Sequence, residues 1–378
     1  MAKIGILGAG FGGLEAANIL IKDLKLPHEI YLFDKRREFY MGLSKLWVLV
    51  GKKSKDEIVH DLSGLKKKGI FLVHEEIVKI DAQNKRVYTL NDEYVFDYLI
   101  IALGAALTPE QNSGFNNGFN LYDLEQVIKL NERIENFEKG KIAVIICSMP
   151  FKCPPAPYEA AFMLDDFFRE RAVRQNIKMA IFTAEPQPIP VAGKENGEIV
   201  KEMLAKKKID YFPSYKVKEF KQGKVFFDNG QDILADIVIA VPPHRVPKVL
   251  VQSGLAQENS WVEVNSENLQ TKFENVFAVG DCTTIKLANG MALPKAGIFA
   301  EAEAQIVAKN IIAKIKGGKT EIFKGEGACF VEVGDGKATQ TDGKFFEKPN
   351  PVVNLTEANE ENYEKKIDFE RSRILRWF

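Results

Sequence analysis

The chain has 378 residues, length for two or three domains, and its 46% apolar and 28% charged content is that of a globular protein without low-complexity tracts. Its 52 Lys and Arg balance 52 Asp and Glu, so a bulk attraction to nucleic acid has no support. Four cysteines are too few for a disulfide scaffold, and no apolar stretch reaches the roughly 20 residues that span a bilayer.

The chain opens "MAKIGILGAGFGG", which enters a strand at once without a signal-peptide pattern and predicts a protein on the cytoplasmic side. Residues 3–8, "KIGILG", read as a buried strand, "AGFGGLEAANILIKDL" as loop then helix, and "EIYLFDK" as a second strand. Gly8, Gly10 and Gly13 form G-x-G-x-x-G at the strand-to-helix turn, with Phe11 and Gly12 inside it. Asp34 and Lys35 close the second strand. A glycine pattern flanked by strand, helix and acidic residue predicts a dinucleotide site: Gly8 for the tight turn, Gly10 for close approach to a pyrophosphate, Asp34 for ribose hydroxyls. A Gly-rich turn without ligand is the bland alternative.

Residues 75–105 alternate apolar and polar positions around "DAQNK" and "NDE", a small antiparallel meander leading into the buried strand "YLIIALG" that ends at Gly104. Residues 121–139 read as a helix, 142–147 as a strand, about 157–173 as a helix, "KMAIFT" as a strand and "ENGEIVKEMLAKKKI" as a helix. A second meander, "KVKEFKQGKVFFDNGQDILA", then runs into the strand "DIVIAV". The order βαβ, meander, strand thus occurs twice. "NVFAVGDCT" is a strand ending in Gly-Asp, and a long helix is expected from near Pro294. Short strands and a basic, aromatic tail follow, as in a small α+β domain. The fold class is α/β, two Rossmann-like domains with β-meander insertions and a small C-terminal α+β domain. The expected partition is 1–105 with 234–316 as the FAD-binding domain, 106–233 as a second Rossmann-like domain without its glycine loop, and 317–378 as the C-terminal domain.

Asp281, at the end of "NVFAVGD", suits the ribityl hydroxyls of a flavin, and the next helix can aim its N-terminus at the flavin ring; Gly-Asp as a plain helix cap is the alternative. With "LIIALGA", the set looks like the two-dinucleotide-binding flavoproteins, in which these segments hold FAD. The second half lacks a matching loop. After "IAVII" come Cys147 and "SMPFKCPPAP", where prolines supply no amide hydrogens for a pyrophosphate, so the donor is expected not to be NAD(P)H. Cys153 stands beside Lys152 and just before a helix, two features that lower a thiol pKa. Glu159, in that helix's first turn, either stabilises the helix or moves protons. Cys147 and Cys282 read as small core residues, and Cys329 lies in the glycine-rich "GEGACFVEVGDG".

"KCPPAPYEAA", "VPPHRVPKVLVQSGL", "FAVGDCT", "LPKAGIFAEAEAQIVAKNI" and "GACFVEVGDGK" resemble, in order from residue 3 to about 346, the sulfide:quinone oxidoreductases and the flavin subunit of flavocytochrome c sulfide dehydrogenase. The resemblance implies Cys153 and Cys329 as a redox-active pair on one face of FAD, sulfide as substrate, and a membrane quinone as acceptor. A cytochrome acceptor, a type II NADH dehydrogenase and a non-catalytic flavin redox sensor are the alternatives. It implies Lys295 as a stabiliser of reduced flavin, unless that residue is a surface lysine. No further cysteine stands near "FYMGLSKLW" or "TPEQNSGFNNGFN", which favours noncovalent FAD, and of four histidines only His244 falls in a matched segment. The tail, with Ile374, Leu375, Trp377 and Phe378 among Lys365, Lys366, Arg371, Arg373 and Arg376, suits peripheral membrane contact. A packed C-terminal helix or a subunit interface is the alternative, and a homo-oligomer is left open.

Overall fold

The computed structural model describes residues 1–24 and 27–378. The first half runs β1 (Lys3–Leu7), α1 (Phe11–Leu24), β2 (Glu29–Phe33), α2 (Ser44–Leu49), β3 (Phe71–Val73) and β4 (Tyr98–Ile101). The second runs β5 (Phe119–Asn120), α3 (Leu124–Glu135), β6 (Gly140–Ile146), α4 (Ala156–Glu170), β7 (Ile177–Thr183), α5 (Lys194–Lys206), β8 (Ile209–Phe212) and β9 (Ile237–Val241). The chain then returns through β10 (Val276–Ala278) and α6 (Gly297–Lys316) and ends in β11 (Glu326–Gly334), β12 (Lys337–Lys344), β13 (Val352–Leu355) and α7 (Glu360–Trp377).

Two five-stranded sheets, all parallel in their pairings, have the orders β10-β4-β1-β2-β3 and β5-β9-β6-β7-β8. The inner strands β1, β4, β6 and β9 are buried on both faces, which is why they read as continuous apolar runs. In the first sheet Ile4 and Ile6 face α1 and α6, whereas Leu7, Phe33 and Ile101 face the meander residues Ile80 and Val87. The second repeats the plan: Ile142, Val144 and Ile146 pack on Phe162 of α4, while Ala143, Ile145 and Cys147 pack on Phe220, Val225 and Phe227 of its meander. The α/β class and the twofold repeat are as expected.

Three details differ from the sequence reading. Strand β9 lies within the segment 234–316 assigned to the first unit, yet it pairs with β6 in the middle of the second sheet, where its register runs Ile142↔Ile237 to Ile146↔Val241. Helix α6 starts at Gly297 rather than near Pro294, and α3 is shorter than the segment 121–139. The tail is not a free amphipathic segment. Helix α7 turns inward a stripe of Asn362, Lys366, Glu370 and Trp377, all buried. Among the described residues no helix is long and apolar enough to cross a membrane.

Candidate active site

Strand β1 ends in the glycine loop, and its geometry explains the glycines. Gly8 adopts φ +106°, and a Cβ there would stand 2.4 Å from the Ala102 carbonyl oxygen of the neighbouring strand end; one on Gly13 would stand 1.8 Å from the Gly8 oxygen. Gly10 faces open space, which leaves room beside the N-terminus of α1, where unpaired amides and the helix dipole favour a phosphate. Asp34 is buried beneath this loop. One of its oxygens accepts the Ala9 N–H at 2.9 Å, and both are forked by Arg36, through Nε at 3.1 Å and Nη2 at 2.9 Å. Burial raises its carboxyl, but the Arg36 hydrogen bonds and charge outweigh that and hold it below the usual range. Asp34 therefore clamps the loop. Lys35 is not brought to the loop: it lies at the surface, paired with Glu76 at 2.9 Å. Gly104 takes φ +66° beside open space.

Across the sheet, β10 delivers Asp281 into the interior. Its Oδ1 is buried without a hydrogen-bond partner, and burial raises the carboxyl against the pull of Lys152 and Lys295. A buried, unpaired acceptor at a strand end fits a ligand hydroxyl, which is what the ribityl chain of FAD offers. Helix α6 fixes this turn through Glu303, whose carboxylate accepts the Gly280 N–H at 2.6 Å and is pushed up to about 8 by burial. Sequence reading passed over Glu303, because a glutamate in an Ala-rich helix carries no local signal. Lys295 is buried, not a surface lysine. It donates to the Asp281 and Thr283 carbonyls at 2.8 and 2.9 Å, lies 3.4 Å from the Trp261 ring centre, and is lowered by burial to about 8.

The two candidate cysteines, far apart in sequence, come within electrostatic range of each other. Cys153 takes a left-handed φ of 49°, costly for a non-glycine residue. It is held by its N–H to the Lys295 oxygen at 2.6 Å and by the Ala156 N–H to its own oxygen at 2.9 Å. Cys329 lies on β11 with its carbonyl accepting from Thr341 Oγ1 at 3.1 Å. Both are thiols here. The expectation of a lowered Cys153 pKa is overturned. Burial pushes the thiol well up, and nearby Cys329, Glu159 and Asp281 push it further, against only the Ala156 amide. Adjacent Lys152 is itself half-buried and lowered by desolvation. Cys329 is likewise raised, to about 11, by burial and Glu159. Cys147 and Cys282 are buried in the cores, Cys282 donating to the Val279 oxygen at 3.3 Å.

Glu159 does more than cap its helix. Its Oε1 accepts Lys366 Nζ of α7 at 2.6 Å and the Glu332 N–H of β11 at 2.9 Å, and Lys366 also reaches Glu332 at 2.8 Å. Trp47 Nε1 and Lys52 complete Glu332 at 2.9 and 2.7 Å. All three members of this Glu-Lys-Glu chain are buried. It ties together α4 (behind Cys153), β11 (which carries Cys329) and α7. Burial raises the Glu159 carboxyl beyond what Lys366 draws back, whereas Lys366 and Lys52 together hold Glu332 below the usual range despite its burial.

The tail residues expected to meet lipid are mostly engaged in the protein. Trp377 is fully buried, its Nε1 donating to Glu15 at 2.6 Å and its ring 5.2 Å from Phe11 of the glycine loop. Phe378 stacks on His60, Arg373 pairs with Glu301 at 3.0 Å, and Arg376 pairs with Glu15 at 2.9 Å. The packed-helix reading holds, and Leu375 alone of the tail's large apolar residues is strongly exposed. Between α4, α5, α6 and the C-terminal sheet lies an apolar pocket of about 890 Å³ including its mouth, lined by Pro155, Tyr158, Phe162, Ile189, Phe299 and Cys329 among others.

The family model for pyridine nucleotide-disulphide oxidoreductases matches residues 2–147 and 158–304, so the chain belongs to that family and is an FAD-dependent oxidoreductase. Residues 148–157, the segment with Cys153, fall outside the match. The chain is 27% identical over 300 residues to the mitochondrial sulfide:quinone oxidoreductase of Mus musculus, a match that takes in 74% of this chain and 65% of the mouse protein. A type II NADH:quinone oxidoreductase of Staphylococcus aureus is 24% identical over 351 residues, 85% of each chain. The crystal structure of the sulfide:quinone oxidoreductase from Aquifex aeolicus superposes with a TM-score of 0.90 over 100% of this chain and 91% of that one, at 23% identity, and so shares the fold.

Proposed function

We propose that this chain oxidises hydrosulfide at Cys153 and Cys329 and passes the electrons through FAD to a quinone. The observation that carries the reading is that the fold brings Cys153 within electrostatic range of Cys329, with both in reach of Glu159 and Cys153 in reach of Asp281 and its unpaired Oδ1. The glycine loop would hold the FAD pyrophosphate and Asp281 a ribityl hydroxyl. When bound, FAD accepts two electrons from the thiol chemistry and yields them to the acceptor.

The raised thiols bear on which sulfur attacks. At neutral pH both cysteines stay protonated when reduced, so the protein thiols are poor nucleophiles. In the cycle we propose, the incoming hydrosulfide attacks the oxidised Cys153–Cys329 bridge. The S–S bond breaks, leaving a persulfide on one cysteine and a thiolate on the other. Joining these again with one more sulfur between them releases two electrons to FAD and the persulfide proton, for which Glu159, its carboxyl raised by burial, is the assigned acceptor. The apolar pocket at Cys329 supports a sulfur chain that lengthens beyond one atom. Lys295, close to Asp281, would offset negative charge on the reduced cofactor.

The similarity to a type II NADH:quinone oxidoreductase motivates the second reading, with NADH as donor. The proline-rich 148–157 segment weighs against it, because it offers neither glycines nor a run of free amides for a pyrophosphate. Anaerobic mixing separates them. Sulfide is expected to bleach the flavin band and NADH to leave it, and Cys153→Ser and Cys329→Ser are each expected to lower quinone reduction at least about 100-fold, the scale of losing an essential participant. Full activity in both variants, or rapid bleaching by NADH alone, would sink the proposal. A lipid-borne quinone further implies work at a membrane surface, which sedimentation with quinone-loaded liposomes tests; a soluble cytochrome acceptor would leave the protein in the supernatant.

A further inference from the structure

Three basic side chains converge on one phenol ring beside the Cys153 loop. Lys45 of α2 is buried, with Nζ 5.2 Å from the Tyr122 ring centre and donating to the Tyr122 carbonyl at 2.8 Å. Lys152 Nζ lies 5.9 Å from the same ring. His244, fully buried, meets it edge-on at 5.1 Å. The ring is tied to the redox loop, because the Tyr122 hydroxyl donates to the Lys152 oxygen at 2.7 Å and lies 3.3 Å from the Cys153 oxygen.

The balance of charge and hydrogen bonds in this cluster is incomplete. Among the described residues neither Lys45 nor Lys152 has a carboxylate at ion-pair distance. Burial lowers Lys45 to about 7, Lys152 adding to that and Cys153 and Asp123 drawing it back, so an anion beside it would restore its proton. Lys152 feels Asp281 and Cys153 for it and Arg36 against it. Asp123 is spent on the α3 N-terminus, where it accepts the Gln126 N–H. His244 Nδ1 sits 2.8 Å from the Pro242 oxygen, which assigns the ring hydrogen to Nδ1 and leaves Nε2 an acceptor. That Nε2 is buried and has no partner. A buried acceptor lacking a donor, beside one buried and one half-buried lysine with no carboxylate at ion-pair distance, is costly unless something fills both deficits.

We infer that this cluster receives the hydrosulfide anion before it attacks, with Lys45 and Lys152 meeting its charge and His244 Nε2 accepting its S–H hydrogen. The inference rests on the sulfide reading above and adds the residues that select the substrate. Hydrosulfide suits the cluster on two counts, being an anion and a hydrogen-bond donor. Chloride and thiocyanate meet only the first. The lysines also offset the repulsion an anion would feel from Glu159 and Asp281 near Cys153.

Steady-state kinetics of FAD-loaded enzyme with sulfide and a soluble quinone test it, with thiocyanate as the unreactive anion. Lys45→Met and His244→Gln are each expected to raise KM for sulfide about tenfold or more, the scale of a lost charge-assisted hydrogen bond, with kcat changed far less and FAD content kept. Thiocyanate should compete with sulfide in the wild type, weaken with Lys45→Met, and keep its inhibition constant with His244→Gln because it has no S–H to donate. Wild-type KM in both variants overturns the inference while leaving the sulfide reading intact. So does protein that emerges without FAD, which would assign the lysines to the cofactor. Thiocyanate competition needs only the wild-type protein and decides the anion site if a variant fails to fold; its absence also overturns the inference. Failure of sulfide to bleach the wild-type flavin is the separate result that removes the underlying reading.

Discussion

At the scale of single residues, the sharpest stability prediction concerns Lys366. It bridges Glu159 and Glu332, and without it Glu159 would be left buried with no counter-charge beside Glu332, which keeps Lys52. Lys366→Met is expected to cost about 3–5 kcal/mol, the range for breaking a buried pair from one side. Denaturant midpoints at unchanged slope would show it. Part of the candidate site was legible at this scale: the glycine spacing and Asp281 follow from residue type and local context, whereas the pairing of Cys153 with Cys329 came from the family resemblance. The ionisation of Cys153 was not. Sequence adjacency reveals that Lys152 is near, but desolvation depends on what the fold stacks over the thiol, and here burial is the larger effect. The juxtaposition of Lys45, Tyr122 and His244 was equally hidden, since they come from three separate segments.

At the scale of elements, the strands were easy and the last helix was not. Parallel strands covered on both faces betray themselves as unbroken apolar runs, so β1, β4, β6 and β9 were visible without coordinates. Helix α7 hides its inward face because that face is largely polar, its Asn362, Lys366 and Glu370 finding partners on other elements rather than an apolar floor. A polar stripe buried against charges has no periodic hydrophobic signal. The end of α7 supplies the next prediction. Trp377→Ala removes a fully buried indole from Phe11 and leaves Glu15 without its Nε1 donor, at an expected cost of about 3–5 kcal/mol. Because Phe11 belongs to the glycine loop, FAD should also be released at lower denaturant concentration, which flavin fluorescence follows.

At the scale of the whole molecule, the second half repeats the plan of the first with a differently placed acid. Glu185 follows β7, where a ribose-binding acid would stand in a dinucleotide fold. It is buried and taken up by Tyr158 Oη at 2.5 Å and Thr183 Oγ1 at 3.1 Å, so it faces inward. Burial raises it to about 7 against those hydrogen bonds. With the folded pKa above the unfolded one, its contribution to stability is complete below the ordinary carboxylate range and lost as pH rises through about 7. Glu185→Gln is therefore expected to leave melting near pH 4 almost unchanged and to raise stability near pH 8 by ~2 kcal/mol, flattening the curve of Tm against pH. The packing of α7 against α1 has a consequence for how the protein is made. Trp377 leaves the ribosome 362 residues after Glu15, roughly 20–70 s later at ordinary elongation rates. Through that interval the nascent nucleotide loop lacks the indole that backs it. Early cofactor capture is disfavoured, and quality-control factors have a long window in which to find the loop uncovered.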